Sequence, residues 1–88
     1  MGFEAQVAEA RRLANEGRYD DAVQIWRDVC ALGPPNARHR VEMARCLVEL
    51  GSEDAAVFEL QTALALDCRV LEVIEDEHRF SSIVGRVR

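Results

Sequence analysis

Lysine does not occur in this chain: all eleven of its cations are arginines, set against sixteen acidic residues for a net charge of −5. Nucleic acids and acidic membranes are polyanions that reward clustered cations, so this balance argues against both as general partners. The arginine bias, with abundant Ala and Val, fits codon usage in a GC-rich, bacterial-type genome. A second reading is that arginine makes forked hydrogen bonds to carboxylates that lysine cannot. Long apolar runs are also missing, and none approaches the roughly 20 residues that span a bilayer. The opening Met1-Gly2-Phe3-Glu4-Ala5-Gln6 has neither a basic start nor an apolar stretch, so no secretory signal is read there. Gln6 stands where a myristoylation signal wants Ser or Thr. Cysteine is sparse and odd in number. Cys30, Cys46 and Cys68 are widely spaced and no Cys or His pair has zinc spacing, so the expectation is a reducing, cytoplasmic setting with no metal and no cofactor.

What is present is an internal repeat. Val7, Ala10, Arg11, Leu13, Gly17, Asp20, Ala22, Val23, Ala31 and Leu32 recur 34 positions later as Val41, Ala44, Arg45, Leu47, Gly51, Asp54, Ala56, Val57, Ala65 and Leu66. With 88 residues there is room for one domain with an elongated core and little space for a deep catalytic cavity. From Phe3 to Asn15 the residues Phe3, Val7, Ala10, Leu13 and Ala14 form one stripe of an amphipathic helix, which Gly17 can end by taking a left-handed conformation. A second helix is expected from about Tyr19, with Asp20 and Asp21 in its first turn and Ala22, Val23, Ile25, Trp26, Val29, Cys30 and Leu32 on a broad buried face. Gly33-Pro34-Pro35 stops it, and Asn36 is placed to cap a third helix carrying Val41, Ala44, Leu47, Val48 and Leu50. Gly51-Ser52 is the next turn, with Ser52 as the cap of a fourth helix carrying Ala56, Val57, Leu60, Ala63, Leu64 and Leu66. Each repeat is therefore a helix hairpin, and two hairpins stack because neither hides its apolar face alone.

These residues resemble the tetratricopeptide repeat family over residues 3 to about 70. The resemblance rests on the small-residue pairs Ala10 with Ala22 and Ala44 with Ala56, the glycine turns, the Gly-x-Tyr-Asp-x-Ala segment from Gly17 to Ala22, the bulky Trp26 and the closing Leu32-Gly33-Pro34. Gln6 and Arg40 depart from it, standing where the family often has an aromatic. Cys68 replaces the proline that usually ends a repeat, so the fourth helix is expected to run on or to turn less sharply. The implied fold is all-α: two antiparallel helix-turn-helix hairpins in a right-handed stack with a C-terminal capping helix. The chain then reads as one domain, with repeat 1 at 3–36, repeat 2 at 37–70 and the cap at 71–88. The cap, apolar at Val70, Val73, Ile74, Phe80, Ile83, Val84 and Val87, is either one helix or two short ones divided near Asp76-Glu77, with Asp76 as a cap of the second. It could also begin a third repeat, but His78 and Ser81 then fall where Ala10 and Leu13 are buried. A chain that stops at Arg88, just past Gly85, also reads as a fragment of something longer.

Catalytic machinery is thin. His39 sits beside Arg38 and Arg40, and His78 among Glu75, Asp76, Glu77 and Arg79; both read as solvent-facing or helix-packing residues. Ser81 and Ser82 lack elbow glycines, the three cysteines read as small hydrophobes on or near buried faces, and the Glu75-Asp76-Glu77 run lacks a calcium-loop glycine. The expected function is a non-enzymatic scaffold or adaptor. The resemblance implies a concave groove formed by the first helix of each hairpin, which holds a peptide or a partner helix. Carried over position by position, its lining is Glu4, Val7, Arg11, Ala14 and Asn15, then Arg38, Val41, Glu42, Arg45, Val48 and Glu49. Val7, Val41 and Val48 would give apolar contact, while Arg11, Arg45 and Arg38 would orient acidic groups of the partner, with Arg79 in line and Asn15 beside them. The Lys, Asn and Arg clamp that some members use for a terminal carboxylate is not reproduced. Two other readings stay open: a homo-oligomer assembling through Phe3, Phe80, Ile83 and Val87, and an accessory domain of a larger protein.

Overall fold

The structure, a computed structural model, describes residues 2–88. Four long helices come first: α1 (Glu4–Asn15), α2 (Tyr19–Leu32), α3 (Ala37–Glu49) and α4 (Glu53–Leu66). The tail forms α5 (Val70–Asp76), a single 3₁₀ turn (His78–Phe80) and α6 (Val84–Val87), and no strand occurs among the described residues. Consecutive long helices pack against each other, and the tail folds back over α3 and α4. The result measures 35 × 25 × 19 Å.

The two hairpin turns are built alike because the sequence repeats there. Gly17 and Gly51 take φ of 79° and 78°, a region that side chains with a Cβ enter at a cost. In the first turn Gly17 donates to the Ala14 carbonyl and Arg18 to the Leu13 carbonyl, at 3.0 and 2.9 Å. In the second, Gly51 donates to Val48 and Ser52 to Leu47, also at 3.0 and 2.9 Å. Both are Schellman closures, which satisfy the last carbonyls of α1 and α3. At the start of α3 the Asn36 side chain accepts from the His39 amide at 3.2 Å, as expected of a cap. Ser52 differs: it occupies the cap position of α4, yet its hydroxyl makes no capping bond. Glu53 and Asp54 in the first turn still favour the helix dipole there.

Small residues let the helices approach. Ala10, Ala22, Ala44 and Ala56 are all 0% exposed, and Trp26 fills the space beside them. Of the two outcomes expected without a proline, a helix that runs on or a less sharp turn, the first does not occur. α4 ends at Leu66 because Asp67 turns to extended backbone and its carboxylate accepts from the Arg69 amide at 3.0 Å. The tail divides at Glu77, into three pieces rather than the one helix or two expected; Glu77 itself caps the 3₁₀ turn by accepting from the Arg79 amide, in place of Asp76. Ile74, Phe80 and Ile83 are completely buried against the second hairpin. They supply the apolar cover that the end of a repeat stack needs.

Candidate partner-binding face

Arginine and glutamate side chains alternate along the face formed by α1, α3 and the tail. Arg11 on α1 makes a two-pronged bond to Glu42 on α3, its Nε and Nη2 each 2.8 Å from a carboxylate oxygen. Arg45, one repeat later, places Nε 3.0 Å from Glu77 Oε2. That nitrogen is buried and the contact is too poorly aligned to count as a hydrogen bond, so the pairing is electrostatic. Arg79 returns from the tail to α3, its Nε donating to Glu49 at 3.1 Å, with Nη1 3.9 Å from Glu77. Three arginines at 34-residue spacing thus stitch α1 to α3 and α3 to the tail. The Glu42 carboxylate raises the pKa of Arg11 above its ordinary value, outweighing partial burial.

Two shallow concavities flank this row. Arg11, Asn15, Tyr19, Trp26, Glu42, Arg45, Glu49 and Arg79 border one of about 250 Å³. Arg11, Arg38, Val41, Glu42, Arg45, Val70 and Val73 border the other, of about 230 Å³. Arg11, Asn15, Arg38 and Arg45 are therefore brought together on one face. The valines are not. Val41 is 2% exposed and Val7 9%, both members of the core, and Val48 is half-buried and borders neither concavity. Core packing against the facing helices leaves Val7 and Val41 little exposed surface, although Val41 edges the second concavity. The proposed assembly residues are likewise spent internally: Phe80, Ile83 and Val87 are buried in the chain's own core, and Phe3 is half-buried against it.

Glu77, Tyr19 and Trp26 join this face without being anticipated. Glu77 is hidden from repeat arithmetic because 34 positions after Glu42 comes Asp76; the break of the tail advances the partner by one residue. His39 packs its ring on Trp26 with centroids 5.3 Å apart, and burial lowers its pKa from the ordinary value. Of the cysteines, Cys46 is buried and Cys30 half-buried, but Cys68 is exposed, contrary to expectation. Among the described residues no group of three or more His, Cys, Asp or Glu is placed to hold a metal ion. No helix of the structure is long and apolar enough to cross a membrane.

Residues 13–67, more than half of the chain, match the sequence model of the tetratricopeptide repeat. With the hairpins, glycine turns and small-residue pairs described above, the chain belongs to the tetratricopeptide repeat family. Repeats of this family are non-catalytic and generally mediate protein–protein interactions. No curated protein and no solved structure matches the chain.

Proposed function

We propose that the chain is a protein-binding module that takes an extended peptide or a partner helix along the face formed by α1, α3 and the tail. The observation that carries this reading is the row of Arg11, Arg45 and Arg79 running between two concavities in a family whose repeats bind proteins. A guanidinium has five donors, and the internal carboxylates engage at most two on each, so donors remain for a partner's carboxylate. Glu42, Glu49 and Glu77 already balance the three cations. This favours a segment with isolated acidic residues over a continuous acidic tract, whose repulsion from those glutamates would cost more than the remaining donors return.

Arg38 and Asn15 give the cleanest test, because both border the concavities and neither forms an ion pair or a side-chain hydrogen bond among the described residues. Peptides selected on the protein from a random displayed library should lose roughly tenfold in affinity on Arg38→Glu, and a smaller factor on Asn15→Glu, with circular dichroism unchanged. Fluorescence polarisation measures both. Wild-type affinity retained by both variants overturns the reading.

A further inference from the structure

The two repeats are internal controls for each other, and they differ sharply on the outer face of their second helices. On α2 that face carries the polar Asp21, Gln24 and Asp28 before it ends, as α4 does, in an Ala-Leu pair, Ala31 and the exposed Leu32; the repeats differ at the three polar positions. The equivalent positions on α4 hold Ala55, Phe58 and Thr62, continued by Ala65 and Leu66 over an arc of about 100° at helical spacing. Phe58 is 62% exposed and Leu66 45%, although the opposite side of α4 is fully packed by Ala56, Leu60 and Ala63. α4 is thus apolar on both sides while only one is covered.

The polar groups near this stripe are already satisfied. The Thr62 hydroxyl donates to the Phe58 carbonyl at 2.9 Å, leaving its methyl to the surface. The Glu59 carboxylate is held by Arg40 at 2.7 Å in a largely buried pair. Gln61 donates to the Arg86 carbonyl at 3.3 Å. Covering the stripe therefore strands no donor or acceptor of these three side chains, while Asn36, His39 and Arg40 form the polar side of the neighbouring hollow.

The stripe also carries both halves of a lock. Beside Thr62 lies a hollow of about 130 Å³ whose apolar side is formed by Cys30, Pro34, Pro35 and Leu66. The projecting ring is Phe58, one turn earlier on the same helix. A two-fold axis passing near Leu60 sets Phe58 of each copy over Thr62 of the other, and Ala55 over Ala65, so every knob meets a hollow. Such mutual contact, residue i on j and j on i, is the geometry of an isologous interface. The ends agree in charge. Arg69, 87% exposed and held only by its neighbour Asp67, comes toward the first turn of the antiparallel copy, where Glu53 carries no ion pair among the described residues and Asp54 is paired with Arg86 of its own chain.

We infer that the occupant of this face is a second copy of the chain, docked antiparallel through α4 with Phe58 as the anchor. This assembly uses the side of the molecule away from the arginine row and does not depend on the peptide-binding reading. Sedimentation velocity on the full chain across a concentration series tests it. The wild type should form a dimer, and Phe58→Gln, which installs the residue that repeat 1 carries at this position, should weaken it at least roughly tenfold while leaving helicity intact. Arg69→Glu should also weaken it, and Glu53→Arg in the same chain should restore it. A wild type that stays monomeric at several hundred micromolar overturns the inference and leaves α4 to a partner of another kind; so does a dimer indifferent to Phe58→Gln. Failure of the charge swap to rescue Arg69→Glu overturns the antiparallel arrangement.

Discussion

At the scale of single residues, the same amino acid does different work according to what surrounds it, and the cysteines show this most simply. Burial pushes the Cys46 thiol up to about 11 and raises that of Cys30, whereas Cys68 lies exposed beyond the end of α4. A thiol reacts as its thiolate, so alkylation of the native protein at pH 8 should modify Cys68 first, Cys30 more slowly and Cys46 only on unfolding. Mass spectrometry of the digested product reads this order directly, and rapid labelling of Cys46 would contradict the packing of α3. The arginines teach the complementary lesson. From the repeat alone Arg11 and Arg45 have no structural duty, and the groove reading follows. In the structure each is paired with a carboxylate. The more exposed Arg11–Glu42 pair contributes only about 0.2–1 kcal/mol, whereas Arg45 sets a buried Nε against Glu77. The partner Glu77 was not legible because it depends on where the tail breaks, a matter of tertiary packing around Phe80 and Ile83.

At the scale of elements, legibility follows how local the determining physics is. Gly17 and Gly51 announce the hairpin turns because each closure involves only residues within one turn of the glycine. Asn36 announces α3 for the same reason, since its oxygen reaches an amide three residues ahead. Ser52 has equal cap propensity, yet its side chain makes no capping bond to α4. The two sites should therefore respond differently. Asn36→Ala is expected to lower unfolding stability by about 1 kcal/mol, and Ser52→Ala by less than about 0.5 kcal/mol. Urea denaturation followed by circular dichroism checks the pair, and equal losses would mean that the Ser52 hydroxyl caps α4 in solution. The end of α4 was less legible than its start. The missing proline points to a continuing helix or a softer turn; α4 does not continue, because Asp67 takes extended backbone and its side chain bonds the Arg69 amide.

At the scale of the whole molecule, repetition produces a core and two unlike outer faces. The core takes the apolar members of the echo, Val7 and Val41 included, which leaves those two valines little exposed surface. The tail residues Phe80, Ile83 and Val87 close the stack within one chain, so an assembly through them has no free surface to use. What remains on one side is the row of arginines and glutamates between α1, α3 and the tail. On the other is the uncharged stripe of α4. The net charge of −5 disfavours association at long range, but at ordinary ionic strength that repulsion fades over about 10 Å, so local contacts decide. The most direct test of the binding face is an NMR titration of the isotope-labelled protein with a peptide selected on it, following the arginine Nε–H and asparagine side-chain signals. The largest shifts should fall on Arg11, Arg38, Arg45, Arg79 and Asn15. Shifts confined to α2 and α4, with those arginine signals unmoved, would place recognition elsewhere and contradict the account.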